Sequence, residues 1–342
     1  MKRLLVRATN WVGDAVMSLP ALRAVRERFP SAGISVLAIE SVADLYRRER
    51  FVDEVIPYTA KRGARDWRGK WTLARELRQR NFDGAILLQN AFEAALVVWL
   101  ARIPVRIGYS RDGRGLLLTH PIPVPEKREI PRHESFYYLE LLRRAGLHGE
   151  LPPEVVIRLQ NAPRSLRAER LVGVCPGAAY GNAKRWLPER FAEAAATVAR
   201  ERGAAVVLFG SAGERDLCEG VAKTLRANGV ECRNSAGQTS LREFIGMAAL
   251  CEVMLTNDSG AMHIASALGV PTVAVFGATD HVGTGPTGPL ARVVREPVEC
   301  SPCLLRECPI DHRCMTRVDA KRVAQTALEL IAIGSGFDRY TK

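Results

Sequence analysis

The chain has 342 residues, 47% of them hydrophobic and 25% charged, with a formal net charge of +12. Its mean hydropathy of −0.05 excludes a mostly disordered chain and a polytopic membrane protein. The length predicts two domains at roughly 150 residues each. No window approaches the roughly 18 uninterrupted apolar residues of a membrane span. The opening MKRLLVRATNWVGD meets Arg7 and Asp14 too early for a signal-peptide apolar core, so a cytoplasmic protein is expected. The basic excess points to an anionic partner: nucleic acid, an anionic membrane surface or a phosphorylated small molecule.

In the first half, Lys2–Ala8, Ile34–Ile39, Gly84–Leu88 and Val105–Gly108 read as strands. Between the first two, Val16, Leu19, Leu22, Val25 and Phe29 recur at helical spacing, which predicts one helix over Asp14–Phe29. Strand, helix, strand at this distance is the unit of a parallel sheet. The segment Pro152–Arg167 reads as a linker. In the second half, strands are expected at Leu171–Cys175, Ala205–Gly210, Val253–Thr256 and Thr272–Phe276. Helices are expected from Pro188 to about Arg202 and over Glu214–Asn228, Ser240–Leu250 and Gly260–Leu268. The pattern predicts an α/β fold of two Rossmann-like domains facing a central cleft, over residues 1–160 and 168–318, with a last helix from Asp319 packing back across both.

Several segments carry chemistry where a strand meets a helix, the edge at which open α/β sheets bind ligands. Asp14, after the first strand, can cap a helix or act as general base on an acceptor hydroxyl, and one residue can do both. Pro176–Trp186 (PGAAYGNAKRW) combines small residues, which let backbone approach a ligand, with Lys184 and Arg185 as cations for a phosphate. Thr256–His263 (TNDSGAMH) offers a helix N-terminus suited to a diphosphate, with His263 one turn beyond Ser259. A capping turn with a packed histidine explains the same residues. Glu214 either accepts from a ribose hydroxyl or an exocyclic amine, or sits in a first helical turn. Cys300, Cys303, Cys308 and Cys314, with His312 among them, supply the four ligands of a tetrahedral zinc site. Their spacing matches no common zinc ribbon, and reduced thiols in a folded loop are the simpler alternative. Lys61–Arg80 concentrates basic residues around Trp67 and Trp71, as a lipid-facing patch or a solvated helix face would. No nucleic-acid-binding signature or P-loop is present, and no nucleic-acid partner is expected.

Taken together, Asn10–Asp14, Pro176–Phe191, Asn257–Gly277 and the Cys300–Met315 segment resemble the lipopolysaccharide heptosyltransferases, most closely their heptosyltransferase II branch. The resemblance implies a GT-B glycosyltransferase that moves heptose from ADP-heptose to a phosphorylated, heptose-bearing Kdo–lipid A acceptor. By this resemblance Asp14 matches the catalytic base. Lys184 matches the donor-binding lysine, and Asp258, Ser259, Gly260 and His263 match the donor diphosphate and heptose loop. Ala178, Ala179 and Glu214 fall near donor-contacting positions. Arg185 joins them by charge, and with basic side chains and a helix end in the role a cation would otherwise fill, no metal cofactor is expected to be required for this chemistry. Asn10, Trp11, Arg62 and Arg65 are the acceptor-side candidates. A monomer at the inner face of the inner membrane is expected. The rivals are a first-heptose transferase, a GT-B enzyme with another nucleotide sugar, and a non-catalytic nucleotide-binding protein.

Overall fold

The apolar runs pair in parallel to form two separate six-stranded sheets. The computed structural model describes residues 1–59, 66–126, 128–160 and 169–337. The chain divides into two compact units, Met1–Val155 and Val156–Lys342; the boundary falls inside the expected linker.

The first unit contains β1 (Arg3–Arg7), β2 (Gly33–Ile39), β3 (Glu54–Tyr58), β4 (Gly84–Leu87), β5 (Val105–Tyr109) and β6 (His120–Ile122), in the spatial order β3-β2-β1-β4-β5-β6. This is the doubly wound order, and the strand sequence reverses between β1 and β4. Leu4, Leu5 and Val6 are buried in succession, as a parallel strand covered on both faces requires. The helices are α1 (Val12–Met17), α2 (Leu19–Arg28), α3 (Glu40–Tyr46), α4 (Trp67–Gln79), α5 (Phe92–Leu100) and α6 (Glu134–Arg144). The single helix expected over Asp14–Phe29 is two, parted at Ser18, whose hydroxyl donates to the Ala15 carbonyl. Pro20 explains the break: it has no N–H to donate to the preceding turn.

The second unit repeats the plan with β7 (Leu171–Cys175), β8 (Ala205–Leu208), β9 (Cys232–Asn234), β10 (Val253–Asn257), β11 (Thr272–Phe276) and β12 (Ala291–Arg295), ordered β12-β11-β10-β7-β8-β9. Here the reversal lies between β7 and β10. Its helices are α7 (Pro188–Arg202), α8 (Arg215–Ala227), α9 (Leu241–Leu250), α10 (Gly260–Ala267), α11 (His281–Thr284), α12 (Arg313–Thr316) and α13 (Ala320–Phe337). Local signals set their ends. Pro188 opens α7, Gly203 closes it in the left-handed region, and Ser240 with Glu243 forms a capping box on α9. The terminal helix α13 buries Val323, Ala324, Ala327 and Leu330 in the core of this unit, which β7, β8 and α7 also line. The described part of the linker is pinned to the second unit, by Ile157 N–H to Thr287 Oγ1 at 3.0 Å and Leu159 N–H to the Ala267 carbonyl at 2.9 Å.

Candidate active site

In the second unit the loops after β7 and β10 meet at the carboxyl edge. Buried Asn257, the last residue of β10, holds them together. Its Oδ1 accepts from the Trp186 N–H at 2.9 Å, and its Nδ2 donates to the carbonyls of Pro176 (2.8 Å) and Gly177 (3.4 Å). Trp186 is itself buried and donates Nε1–H to the Val318 carbonyl at 3.2 Å. This stitching fixes the root of Lys184, which ends a 3-10 turn over Asn182–Lys184. Lys184 Nζ lies 2.6 Å from Asp258 Oδ2, with side-chain exposures of 15% and 5%. Thr279, beyond β11, donates its hydroxyl to the same carboxylate oxygen. Lys184 Nζ also stands 4.8 Å from the centre of the Tyr180 ring, within cation–π range.

The other donor-side candidates surround this pair in different ways. Ser259 is the N-cap residue of α10, but its side chain caps no helix N–H. Its Oγ meets Thr256 Oγ1 at 3.2 Å instead. Gly260 begins α10, and His263 is buried on it at 4% exposure. Ala178 is buried and Ala179 exposed. The Arg185 guanidinium turns back on its own loop and donates to the Ala178 carbonyl at 3.3 Å. Glu214 accepts from the Ser211 N–H and hydroxyl, both at 2.8 Å, in a capping box. Its carboxylate lies over Gly177, where an added Cβ would stand 2.1 Å from Glu214 Oε1. Glycine is what admits the carboxylate there.

The four clustered cysteines are reduced and gather around one small pocket together with Ala183, Gly277, Ala278 and His312. Burial, with the neighbouring thiols adding to it, pushes the Cys314 thiol up to about 11. Among the described residues, no three or more His, Cys, Asp or Glu side chains stand where they can hold one metal ion.

In the first unit, the β1–α1 turn carries Asn10, Trp11 and Asp14. Asn10 Oδ1 accepts from buried Arg7 at 3.1 Å, and Arg7 also donates to the Tyr58 hydroxyl. Trp11 is 54% exposed. It is also the N-cap residue of α1, so Asp14 lies within the first turn rather than capping it. Arg62 and Arg65 lie outside the described residues.

Sequence reasoning missed a partner for Asp14. Glu134 opens α6, and burial, followed by the charge of Asp14, raises its carboxyl to about 7 against an opposing pull from Arg111. Tyr138, one turn further on α6, is held protonated by burial and then by the charges of Asp14 and Glu134. Two carboxyl groups thus share one region at the β1 edge, and their proton affinities are coupled. Buried Arg114 braces the neighbouring edge. Its Nε donates to the Tyr109 carbonyl at 2.9 Å and its Nη2 to Asn90 Oδ1 at 3.1 Å, while Asn90 donates to the Tyr137 hydroxyl at 2.9 Å. A signal was present in the sequence, since Glu134 follows Pro131–His133 and starts an amphipathic run.

The arrangement offers a carboxylate able to take a proton at one sheet edge. At the other it offers a fixed cation for an anionic group. Comparison with known proteins gives this chemistry a class. The family model for glycosyltransferase family 9 (heptosyltransferase) matches residues 70–313. Lipopolysaccharide heptosyltransferase 2 of Salmonella typhimurium is 35% identical over 307 residues, which span 86% of this chain and 88% of that protein. The Escherichia coli protein of the same name is 34% identical over 309 residues, spanning 86% and 88%. The solved structure of Escherichia coli ADP-heptose lps heptosyltransferase II superposes with a TM-score of 0.81 at 30% identity, covering 98% of this chain and 100% of that one. Fold and likeness define a glycosyltransferase of the GT-B class. The chain belongs to glycosyltransferase family 9, the heptosyltransferases.

Proposed function

We propose that the protein transfers the heptose of ADP-heptose to the inner core of lipopolysaccharide, adding the second heptose. The observation that carries this reading is the Lys184–Asp258 pair at the β7/β10 edge, in a chain 35% identical to a lipopolysaccharide heptosyltransferase 2. Asp14 takes the proton of the acceptor hydroxyl as that oxygen forms its bond to the anomeric carbon. The bond from that carbon to the diphosphate oxygen breaks, and its electron pair leaves with ADP. Attack opposite the leaving group inverts the anomeric centre. Lys184 and the N-terminus of α10 at Ser259 and Gly260 stabilise the charge that develops on the diphosphate. Of the three Lys184 N–H donors, Asp258 engages one, which leaves others for phosphate oxygens. His263 and Glu214 complete the donor side. Arg185 and Ala178 act through the loop they tie together, which also carries exposed Ala179. These groups supply the charge stabilisation for the chemistry we propose.

The acceptor side is Asn10 and Trp11, with Arg62 and Arg65 nearby in sequence to α4. No helix among the described residues is long and apolar enough to cross a membrane. We assign α4 to the anionic inner face of the inner membrane, from the cytoplasmic side. Trp67 and Trp71 are 57% and 60% exposed, Arg68, Arg75 and Arg78 are exposed beside them, and Ala74 and Leu77 face the core. An exposed tryptophan pair among arginines suits a headgroup layer. The enzyme acts as a monomer.

The donor is tested by thermal shift with ADP-, UDP- and GDP-sugars. Stabilisation by ADP-heptose alone, lost in Lys184→Ala, is expected. Stabilisation by a UDP- or GDP-sugar in its place would assign another donor.

A further inference from the structure

The segment Cys300–Cys314 carries the densest chemistry that the transfer leaves unused, and it reaches two loops of the ligand edge. Toward the loop after β11, Ser301 Oγ donates to the Gly277 carbonyl at 2.6 Å and the Leu304 N–H donates to the Ala278 carbonyl at 2.8 Å. Toward the loop after β7, the Arg306 carbonyl accepts from the Ala183 N–H at 3.0 Å, and His312 Nε2 lies 3.1 Å from the Ala183 carbonyl oxygen. Both main-chain polar groups of Ala183 are therefore engaged by this one segment, and Ala183 immediately precedes Lys184. The Tyr180 hydroxyl donates to the Leu304 carbonyl at 2.8 Å. The ring of Tyr180 meets Arg306 at 5.2 Å and Lys184 at 4.8 Å.

Lysine is a point charge on a flexible four-carbon stem. Its value to a ligand depends on how much freedom is removed before binding. The root of Lys184 is held from the core side by Asn257 through Trp186 and from the outer side by the cysteine-rich segment. Gly181 shows how closely the segment is applied. An added Cβ there would stand 2.2 Å from the Arg306 carbonyl oxygen. His312 is in the left-handed region at φ 56. That conformation is disfavoured in a non-glycine residue, and in it the His312 ring reaches Ala183.

We infer that the segment Cys300–Cys314 is a brace that sets Lys184 for the donor diphosphate, with His312 and Arg306 as positioning residues. The inference rests on the reading of Lys184 as a donor ligand, and the test separates the two. Steady-state kinetics are measured with ADP-heptose and the lipid acceptor for wild type, His312→Ala, His312→Gln, Gly181→Ala and Lys184→Ala, with melting temperatures alongside. One hydrogen bond of ordinary worth gives His312→Ala about a fivefold higher donor KM, with acceptor KM held. His312→Gln, which keeps an N–H donor, restores the donor KM. Gly181→Ala raises it by displacing Arg306. A wild-type donor KM in His312→Ala and Gly181→Ala, whatever their melting temperatures, would overturn the brace while an impaired Lys184→Ala upheld the donor site. Unchanged kinetics in Lys184→Ala would overturn the donor site itself.

Discussion

Lys184 Nζ and Asp258 Oδ2 stand 2.6 Å apart, the lysine from the loop after β7 and the aspartate from the end of β10. The pair joins the two strands between which the sheet order reverses, so a single contact marks the ligand edge of the second unit. In the function proposed above, Asp258 keeps the cation in place and neutralises it until a phosphate arrives. Because Thr279 also donates to Asp258, the carboxylate is oriented by a second donor besides Lys184.

Removing either partner has distinct consequences. Lys184→Ala is expected to lower transfer by about a hundredfold, the usual loss for one preorganised group aimed at developing charge. Asp258→Ala leaves a largely buried ammonium without its counter-charge, which costs about 3 kcal/mol or more of stability. Asp258→Asn keeps the Thr279 contact and is expected to be milder. Chemical denaturation and kcat measured side by side check both. Equal stability of the Ala and Asn variants would contradict the account.

Asn257 tests the stitching of the loop. Asn257→Ala strands the buried Trp186 N–H and releases the carbonyls of Pro176 and Gly177. At about 1 kcal/mol per lost bond and more for a stranded donor, a loss of about 2–4 kcal/mol is expected, with weaker ADP binding. Denaturant midpoints together with calorimetric ADP titration measure this.

Glu134 gives a pH dependence with a definite sign. Its carboxyl titrates near 7 in the folded protein against an ordinary 4.5, so between these values the folded state binds more protons than the unfolded. Stability therefore falls as pH rises through that window, and Glu134→Gln is expected to remove the fall. Ionisation of Glu134 also places a second negative charge near Asp14, which strengthens Asp14 as a base. The wild-type kcat/KM is expected to rise with an apparent pKa near 7, with Arg111 and Tyr138 as the other facing groups. An identical profile in Glu134→Gln would count against the coupling.

Much of the fold was legible because central strands of parallel sheets are continuous apolar runs. Of the eight inner strands, all but β5 (VRIGY), which carries Arg106, announce themselves this way in the sequence. The four edge strands do not: β3 (EVIPY), β6 (HPI), β9 (CRN) and β12 (ARVVR) are short, half-covered, or interrupted by proline and charge. The same logic divides the site. Lys184, Asp258 and Asp14 stand in local strand-to-helix segments that a one-dimensional reading can find. Glu134 is distant from Asp14 in sequence and meets it only because α6 packs beside α1 and α2. The part played by His312 was hidden for the same reason, since a cysteine-rich spacing suggests ligands and says nothing of Ala183. Asp14 reads from the sequence as either a helix cap or a base, and the cap alternative fails because an apolar residue, Trp11, takes the N-cap position.

Membrane contact is tested by vesicle sedimentation. Each basic residue near an anionic surface is worth about 1 kcal/mol, so the triple variant Arg68→Glu, Arg75→Glu, Arg78→Glu is expected to lose binding to vesicles containing phosphatidylglycerol by about a hundredfold or more. Turnover of a delipidated acceptor is expected to remain. Equal binding by wild type and variant would remove α4 from the interface.

The central claim is that Asp14 is the base, and Lys184 the donor-side cation, of a heptose transfer. ADP release from ADP-heptose, with and without a heptose-bearing Kdo–lipid A acceptor, measures it directly in wild type, Asp14→Ala and Lys184→Ala. The account predicts release that depends on the acceptor and falls by about 10²–10⁴ in Asp14→Ala, the usual contribution of a positioned general base. Donor affinity is predicted to persist in that variant and to weaken in Lys184→Ala. Acceptor-dependent release at the wild-type rate in Asp14→Ala would contradict it.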